Sequence, residues 1–442
     1  MRQLDEKEKY LDIVCAQVNW KHAHGVIRKE LGDHIEDQAA AYAAEGVPEQ
    51  EATYRAICSM GDPEEVGMAY AACFRPKRQW GMVCLIVLTV LLGIGIRLAM
   101  GGIFGWRSVA ALVFGCGCTA LFCCLNLHDL AQRAWFARAL FVVFLLAVAL
   151  ELGGTYVRHA AAFLPLLFAG AVYSLRGKGL PALIACAAAL TAVTWVLMAR
   201  WSMRNYLYAV GILTGCLFAA VLAALAGAFG RRRLLASGVL ICCAAVSAAA
   251  VVFLNAYRMQ EFVKILLPVE GRTMLTLTPG LCTVRDVVNG ARMIGRGTVA
   301  AIADAQGTAP GNGSDLSLNS YLLTQVLYRW GWLAAAAASA VPLGFVSLAL
   351  VRALRLKSLL GRMLAGAVSA FFAAQTLIYC AANFGLLGGL PLSLPLLAGG
   401  ELALALNFAM AGALIALFRM DGLHADRIPK LSKRLRVRLE WV

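Results

Sequence analysis

The sequence predicts an all-α polytopic membrane protein of about ten transmembrane helices, preceded by a small cytoplasmic helical domain, and three observations carry that prediction. The 442-residue chain is 61% apolar with a mean hydropathy of +0.72. Its apolar residues gather into runs of about 20, the length a helix needs to cross a hydrocarbon core of about 30 Å. Its polar residues concentrate in the first seventy or so positions and in one long later stretch. Such hydropathy with a formal charge of +15 excludes an ordinary soluble domain. The charge does not point to nucleic acid, because Lys and Arg are scattered among loops, where they fix membrane orientation and meet anionic headgroups. Most of the 14 cysteines lie inside apolar runs, Cys116, Cys186 and Cys216 among them, so they read as small hydrophobes and no disulfide framework is expected.

Residues 1–75 read as the helical prefix domain. Tyr10, Ile13, Val14 and then Val26, Ile27, Leu31, Ile35 recur at helical spacing. Gly46 ends one helix and Pro48 opens the next; Gly61 ends that one, and Asp62, Pro63 and Glu65 form an N-cap, a first-turn proline and a returning carboxylate. The stretch resembles a helical prefix found before the membrane domains of some Gram-positive bacterial proteins. His22, His24 and His34 lack any matching Cys or carboxylate spacing and are read as solvated, so no metal site is assigned. With no short apolar core followed by a small-residue cleavage site, the prefix is expected to stay in the cytoplasm.

From Trp80 onward ten segments are long enough, or nearly so, to span: 80–100, 108–127, 134–152, 155–175, 180–198, 205–229, 234–255, 332–351, 360–384 and 400–419. They make a membrane domain over 76–420. With the prefix inside, the inner loops hold Arg75, Lys77, Arg78, Arg133, Arg176, Lys178, Arg231, Arg232, Arg233, Arg352, Arg355, Lys357 and Arg362. The short outer loops hold only Arg97, Arg107, Arg200 and Arg204. The expectation is a multi-pass protein of the bacterial inner membrane with both termini cytoplasmic. Residues 256–331 then form one large extracytoplasmic loop, and residues 421–442 a basic cytoplasmic tail suited to anionic lipid or to anchoring the last helix.

Two stretches carry a family resemblance: NFGLLGGLPLSLPLLAGG (383–400) and YRMQEFVKILLP (257–268). Both resemble the SEDS family (FtsW/RodA/SpoVE), the ten-span proteins of bacterial division, elongation and sporulation. Asn383, Gly385, Pro391, Pro395, Gly399 and Gly400 follow its Asn-x-Gly start, re-entrant segment and Gly-Gly pair; Tyr257 and Pro268 bracket the start of its outer loop. ARMIGRG (291–297) is similar to the family's glycine-rich loop stretch, and YLLTQVLYRWGWL (321–333) to its approach to the eighth helix. The resemblance covers about residues 80–420.

What it implies is a peptidoglycan glycosyltransferase that polymerises a lipid-linked disaccharide-peptide, lipid II, on the outer face, beside a class B penicillin-binding protein and in contact with membrane lipids. A non-catalytic scaffold or regulator of a cell-wall complex, and a flippase or transporter of the lipid-linked precursor, stand as alternatives. The cofactor is open, a divalent cation being the one considered. The chemistry needs a base at the attacking sugar hydroxyl and donors for the pyrophosphate leaving group. At the position of the family's essential Asp this chain has Ser320, and a hydroxyl cannot take up a proton near pH 7 as a carboxylate can. Glu261 stands where the family has an Arg and Leu267 where it has an Asn; the Ser-Tyr before the Gly-Gly pair is missing at Leu397 and Ala398.

The candidate catalytic residues are therefore Ser320, by position, and Asp315, the nearest carboxylate, whose simpler reading is a solvated turn residue in GTAPGNGSD. Candidate substrate-binding residues are Arg258, Glu261 and Lys264, which line a headgroup site or snorkel to the interface. Asp286, Arg292 and Arg296 present charges to a pyrophosphate or belong to an amphipathic helix on the membrane surface. Asn383, Gly399 and Gly400 complete the set. Glu401 reads as a first-turn carboxylate favoured by the helix dipole, and Arg158 with His159 as an ionisable pair near the outer end of the fourth span.

Overall fold

The computed structural model describes residues 2–19, 21–73, 79–100, 106–124, 127–200, 206–253, 279–297, 321–387, 393–397 and 401–421. Two compact units emerge, Met1–Arg78 and Gln79–Val442. The first contains α1 (Arg2–Gln17), α2 (Lys21–Ala44), α3 (Glu49–Ser59) and α4 (Pro63–Cys73). Gly46 and Gly61 take φ of 92° and 86°, left-handed values that end α2 and α3, and Asp62 Oδ1 accepts from the Glu64 N–H at 3.4 Å to open α4. Tyr10, Leu11, Val14, Ile27, Leu31, Ile35 and Ala56 form its core.

Ile13 and Val26, expected inside, are 41% and 59% exposed. Each precedes a fully buried residue, and the 100° step between neighbours leaves Ile13 and Val26 at the edge of the core-facing stripe. Ion pairs tie α1 to α2: Lys7 to Glu36 at 2.6 Å, and Arg28 to Glu8 at 3.0 Å and to Asp12. The Lys7 ammonium holds the Glu36 carboxyl below the usual carboxylate range. A depressed folded value adds stability above the unfolded glutamate range near pH 4.3, and that stability is lost as pH falls through the folded value. Hydrogen exchange in α1 and α2 should therefore lose protection less steeply on acidification below about pH 4.3 in Glu36→Gln than in wild type. Equal slopes would contradict this role for the pair.

The second unit is all helix apart from its connections among the described residues. In order it contains α5 (Trp80–Ala99), α6 (Trp106–Cys124), α7 (Leu127–Gln132), α8 (Ala134–Ala149), α9 (Thr155–Ala160), α10 (Leu164–Tyr173), α11 (Leu180–Arg200), α12 (Tyr206–Leu225) and α13 (Arg233–Phe253). There follow α14 (Pro279–Asn289), α15 (Leu322–Trp330), α16 (Trp332–Leu354), α17 (Leu359–Asn383) and α18 (Glu401–Arg419). Among the described residues eight stretches are long and apolar enough to cross a bilayer; two shorter apolar ones, Val109–Phe122 and Ala134–Ala149, fall on the second and third predicted spans. The fourth span, Tyr156–Tyr173, is α9 and α10 joined by a 3-10 turn at Ala161–Phe163. The fold class is thus all-α, polytopic and membrane-embedded.

Packing identifies α17 as the hub. In that helix 78% of the spanning window is buried, against 28% in α5, which shows most of its surface to lipid. Without a hydrophobic drive between helices in lipid, close backbone approach must do the work, and small residues allow it. A Cβ on Gly215 would stand 2.7 Å from the Ala367 carbonyl oxygen, so α12 and α17 meet backbone to side-chain-free backbone. Between α6 and α18, Gly115 receives the Phe408 ring, Gly412 receives Thr119, and the Thr119 hydroxyl donates to the Phe408 carbonyl at 2.9 Å. A Cβ at Gly412 would lie 2.6 Å from Thr119 Cα. Gly412→Val should therefore cost about 1–3 kcal/mol of overpacking and lower the melting temperature of the chain in detergent; an unchanged melt would contradict the tight α6–α18 contact.

Candidate functional site

One end of the membrane unit collects the motifs singled out above. Residue 331 is where it starts: Gly331 ends α15 and precedes α16 with φ 89° and ψ −176°, a backbone shape that only glycine adopts without strain. The break leaves the first N–H groups of α16 without helical partners. The glycine-rich stretch 291–297 supplies them: the Trp332 and Leu333 N–H groups donate to the Arg292 and Met293 carbonyls at 3.0 and 3.1 Å. In return the Gly295 and Gly297 N–H groups donate to the Trp330 and Tyr328 carbonyls at 3.2 and 2.9 Å. A Cβ on Gly331 would stand 2.6 Å from the Arg292 oxygen. Gly331→Ala should combine that clash with left-handed strain, about 1–3 kcal/mol, and release the 291–297 stretch; faster hydrogen exchange at Gly295 and Gly297 is the expected readout, and unchanged exchange there would refute it.

The other end of α15 is held from α17. The Tyr379 hydroxyl accepts from the Leu322 N–H at 3.1 Å, and Asn383 Oδ1 accepts from the Thr324 N–H at 3.2 Å. The Thr324 hydroxyl donates to the Asn383 carbonyl at 2.9 Å, and Asn383 Nδ2 donates back to the Tyr379 carbonyl at 3.0 Å. Two side chains from a spanning helix thereby cap a nine-residue helix whose own N-cap residue, Tyr321, bonds none of these N–H groups with its side chain. Asn383 is 0% exposed, so its amide serves this joint from inside the protein. Sequence reading did not find Tyr379, Thr324 or Gln375. A signal was present: Gln375, Tyr379 and Asn383 recur every four positions, a polar stripe along one face of an apolar span.

Gln375 uses that stripe to hold the re-entrant segment, donating from Nε2 to the Ser393 carbonyl and hydroxyl at 2.7 and 2.8 Å. The segment then presses on α5, where a Cβ on Gly93 would meet the Leu397 oxygen at 2.6 Å. Leu394, Leu397, Ile96, Met100, Tyr379, Val287 and the apolar face of α15 share one cluster. Helix α14 turns Val284 and Val287 into the protein and leaves Asp286 exposed. Val284 packs on Tyr321 and Val287 on the apolar face of α15.

Around this frame the charge is one-sided. The described stretches 279–297 and 321–333 carry Arg285, Arg292, Arg296 and Arg329 against the single acid Asp286. Arg285 donates to the Gly385 carbonyl at 3.4 Å; Arg296 donates to the Tyr328 hydroxyl at 3.3 Å with its guanidinium 5.4 Å from that ring's centre. Arg292 and Arg296 are exposed. Arg97, in the last turn of α5, is partly buried and interacts electrostatically with Tyr379. Glu401 opens α18, exposed in its first turn; Arg158 and His159 lie in α9, where the Tyr208 hydroxyl donates to the His159 carbonyl at 2.8 Å. Arg258, Glu261, Lys264, Asp315, Ser320, Gly399 and Gly400 lie outside the described residues. Among the described residues no three His, Cys, Asp or Glu side chains come together.

No family model matches the chain, and no curated protein does. Among solved structures it is similar to one described as "Structural coordination of polymerization and crosslinking by a peptidoglycan synthase complex", at 18% identity and TM-score 0.58, over 77% of this chain and 97% of that one. The rod shape determining protein RodA of Thermus thermophilus aligns at 15% identity and TM-score 0.48 over 78% of this chain and 97% of its own. An aspartate-to-alanine mutant of it aligns at 15% identity and 0.49 over 78% and 98%. The membrane unit thus has a divergent SEDS-like fold.

Proposed function

We propose that this chain is a SEDS-type protein of bacterial cell-wall synthesis that binds a lipid-linked peptidoglycan precursor at the extracytoplasmic end of its membrane unit. The observation that carries the reading is the cation-rich frame of Arg285, Arg292, Arg296 and Arg329 with one acid, built onto a capped α15 and a docked glycine-rich stretch. Guanidinium groups pair with phosphate oxygens through several donors at once, and they keep their charge at any physiological pH. A pyrophosphate between an isoprenoid tail and a sugar suits such a rim, with the tail in the bilayer beside it. The solved peptidoglycan synthase complex supports a partner enzyme of the class B penicillin-binding type. The charge distribution among the loops supports an inner-membrane location with both termini, the prefix 1–75 and the tail 421–442, on the cytoplasmic side.

The first reading of the chemistry is glycan polymerisation. The glycosyl acceptor hydroxyl attacks the anomeric carbon of the precursor, the bond to pyrophosphate breaks, and the arginines stabilise the charge that collects on the leaving group. Asp315 would take the hydroxyl proton, Asn383 would position α15 from behind, and Gly399 and Gly400 would let the backbone approach the ligand. Ser320 favours a second reading, a precursor-binding member that scaffolds a cell-wall complex without turning lipid II over. Reconstituted lipid II polymerisation by wild type and Asp315→Ala separates them. Under the polymerase reading, wild type makes glycan and Asp315→Ala loses about 10² to 10⁴ in rate. No glycan from folded wild type, alone or with a penicillin-binding partner, would rule that reading out.

A further inference from the structure

The 291–297 stretch presents an apolar tip at its surface. Met293 and Ile294 are 71% and 73% exposed, and they stand between the exposed Arg292 and Arg296. The chain bends over 293–295, where Gly295 takes a φ of 88°. The backbone hydrogen bonds to Tyr328, Trp330, Trp332 and Leu333 hold this bend on the junction of α15 and α16. A backbone fixed in this way has already lost the freedom that docking would otherwise cost, so the apolar pair is preorganised for contact.

What the pair contacts follows from where α16 enters the bilayer. Residues 333–351 of that helix include no charged side chain. Nineteen helical residues run about 28 Å, close to the roughly 30 Å of hydrocarbon in a bilayer. Leu333, 62% exposed, therefore lies at the edge of the hydrocarbon, with Trp330 and Trp332 beside it in sequence as interfacial aromatics and Arg352 at the far end. The Leu333 N–H donates to the Met293 carbonyl at 3.1 Å, which ties the tip to the level of the bilayer surface. At that level apolar side chains reach acyl chains while flanking guanidinium groups stay among the headgroups. We propose that Met293 and Ile294 are seated in the leaflet at this end of the membrane unit, so that the 291–297 bend is a lipid-inserted anchor for the arginine-bearing end. The anchor needs phospholipid alone and is independent of the precursor chemistry proposed above.

The test uses the full chain in phosphatidylcholine nanodiscs, one copy per disc, treated with chloramine-T, a charged oxidant of methionine that stays in water. Met68 of the prefix, 57% exposed, is the internal reference. Met293 is the more exposed of the two in the protein itself, yet it should oxidise about tenfold or more slowly because the leaflet covers it. A phosphatidylcholine with a photoreactive acyl chain should label the peptide Met293–Arg296. Met293→Ser with Ile294→Ser should cut that labelling about tenfold while hydrogen exchange at Gly295 and Gly297 stays as in wild type. Oxidation of Met293 as fast as Met68 would overturn the proposal, and so would unchanged labelling of the serine variant. Protection of Met293 with no lipid adduct would also overturn it, since a protein surface and not the leaflet would then cover the tip.

Discussion

Ser320→Asp is expected to polymerise lipid II about 10²-fold or more faster than the wild-type chain in a reconstituted assay. The position immediately precedes Tyr321 in sequence, and the Leu322 N–H two residues on donates to the Tyr379 hydroxyl. A carboxylate there gains a role that a hydroxyl cannot fill, since general-base help is typically worth 10² to 10⁴ in rate and a serine does not ionise near pH 7. The pH profile adds a second readout: the variant should acquire an acid limb from its new carboxylate. If Asp315 already serves as base, wild type is active beforehand and the gain shrinks. A folded Ser320→Asp chain that polymerises no faster than an inactive wild type would mean that the frame does not hold residue 320 where the reacting hydroxyl comes.

Asn383→Ala is the second large effect. It removes the acceptor for the Thr324 N–H in a place with no access to water, and an orphaned buried donor costs about 1–3 kcal/mol. A nine-residue helix has little stability of its own, so the cost falls on the whole of α15. Hydrogen exchange over Leu322–Trp330 should accelerate by about 10- to 100-fold while the other spanning helices keep their protection. Precursor affinity should fall with it, because Arg329 and the docked 291–297 stretch both depend on that helix. Asn383→Asp keeps an acceptor and should be the milder change. Equal exchange in α15 of Asn383→Ala and wild type would show that the joint does not carry the helix.

The spans could be read from sequence because lipid leaves the backbone no alternative to helix, and runs of about 20 apolar residues announce it. Turn chemistry announced the prefix as well: Gly46 and Gly61 stand at the positive φ their positions suggested. What periodicity does not reveal is which partner a face meets. Val284 and Val287 look the same whether they cover protein or a bilayer, and only the fold shows that Tyr321 and α15 take them. Asn383 was visible as part of a motif, but its work depends on Thr324, fifty-nine residues away in sequence and adjacent only after α15 folds onto α17. The same holds for Gly331, whose neighbours Arg292 and Met293 arrive from across the loop. Ile13 and Val26 failed in a simpler way, since each falls at the edge of its helix's apolar stripe and stays 41% and 59% exposed.

Whether the α14–α17 end of the membrane unit binds a lipid-linked pyrophosphate is decided by titrating lipid II into nanodiscs that hold the full chain, wild type beside Arg292→Gln with Arg296→Gln. Wild type should bind saturably. The double variant should bind about tenfold or more weakly, and added salt should reduce binding, because guanidinium–phosphate pairing is ionic. No saturable binding by folded wild type, or the same affinity with and without the two arginines, would contradict a pyrophosphate site at this end.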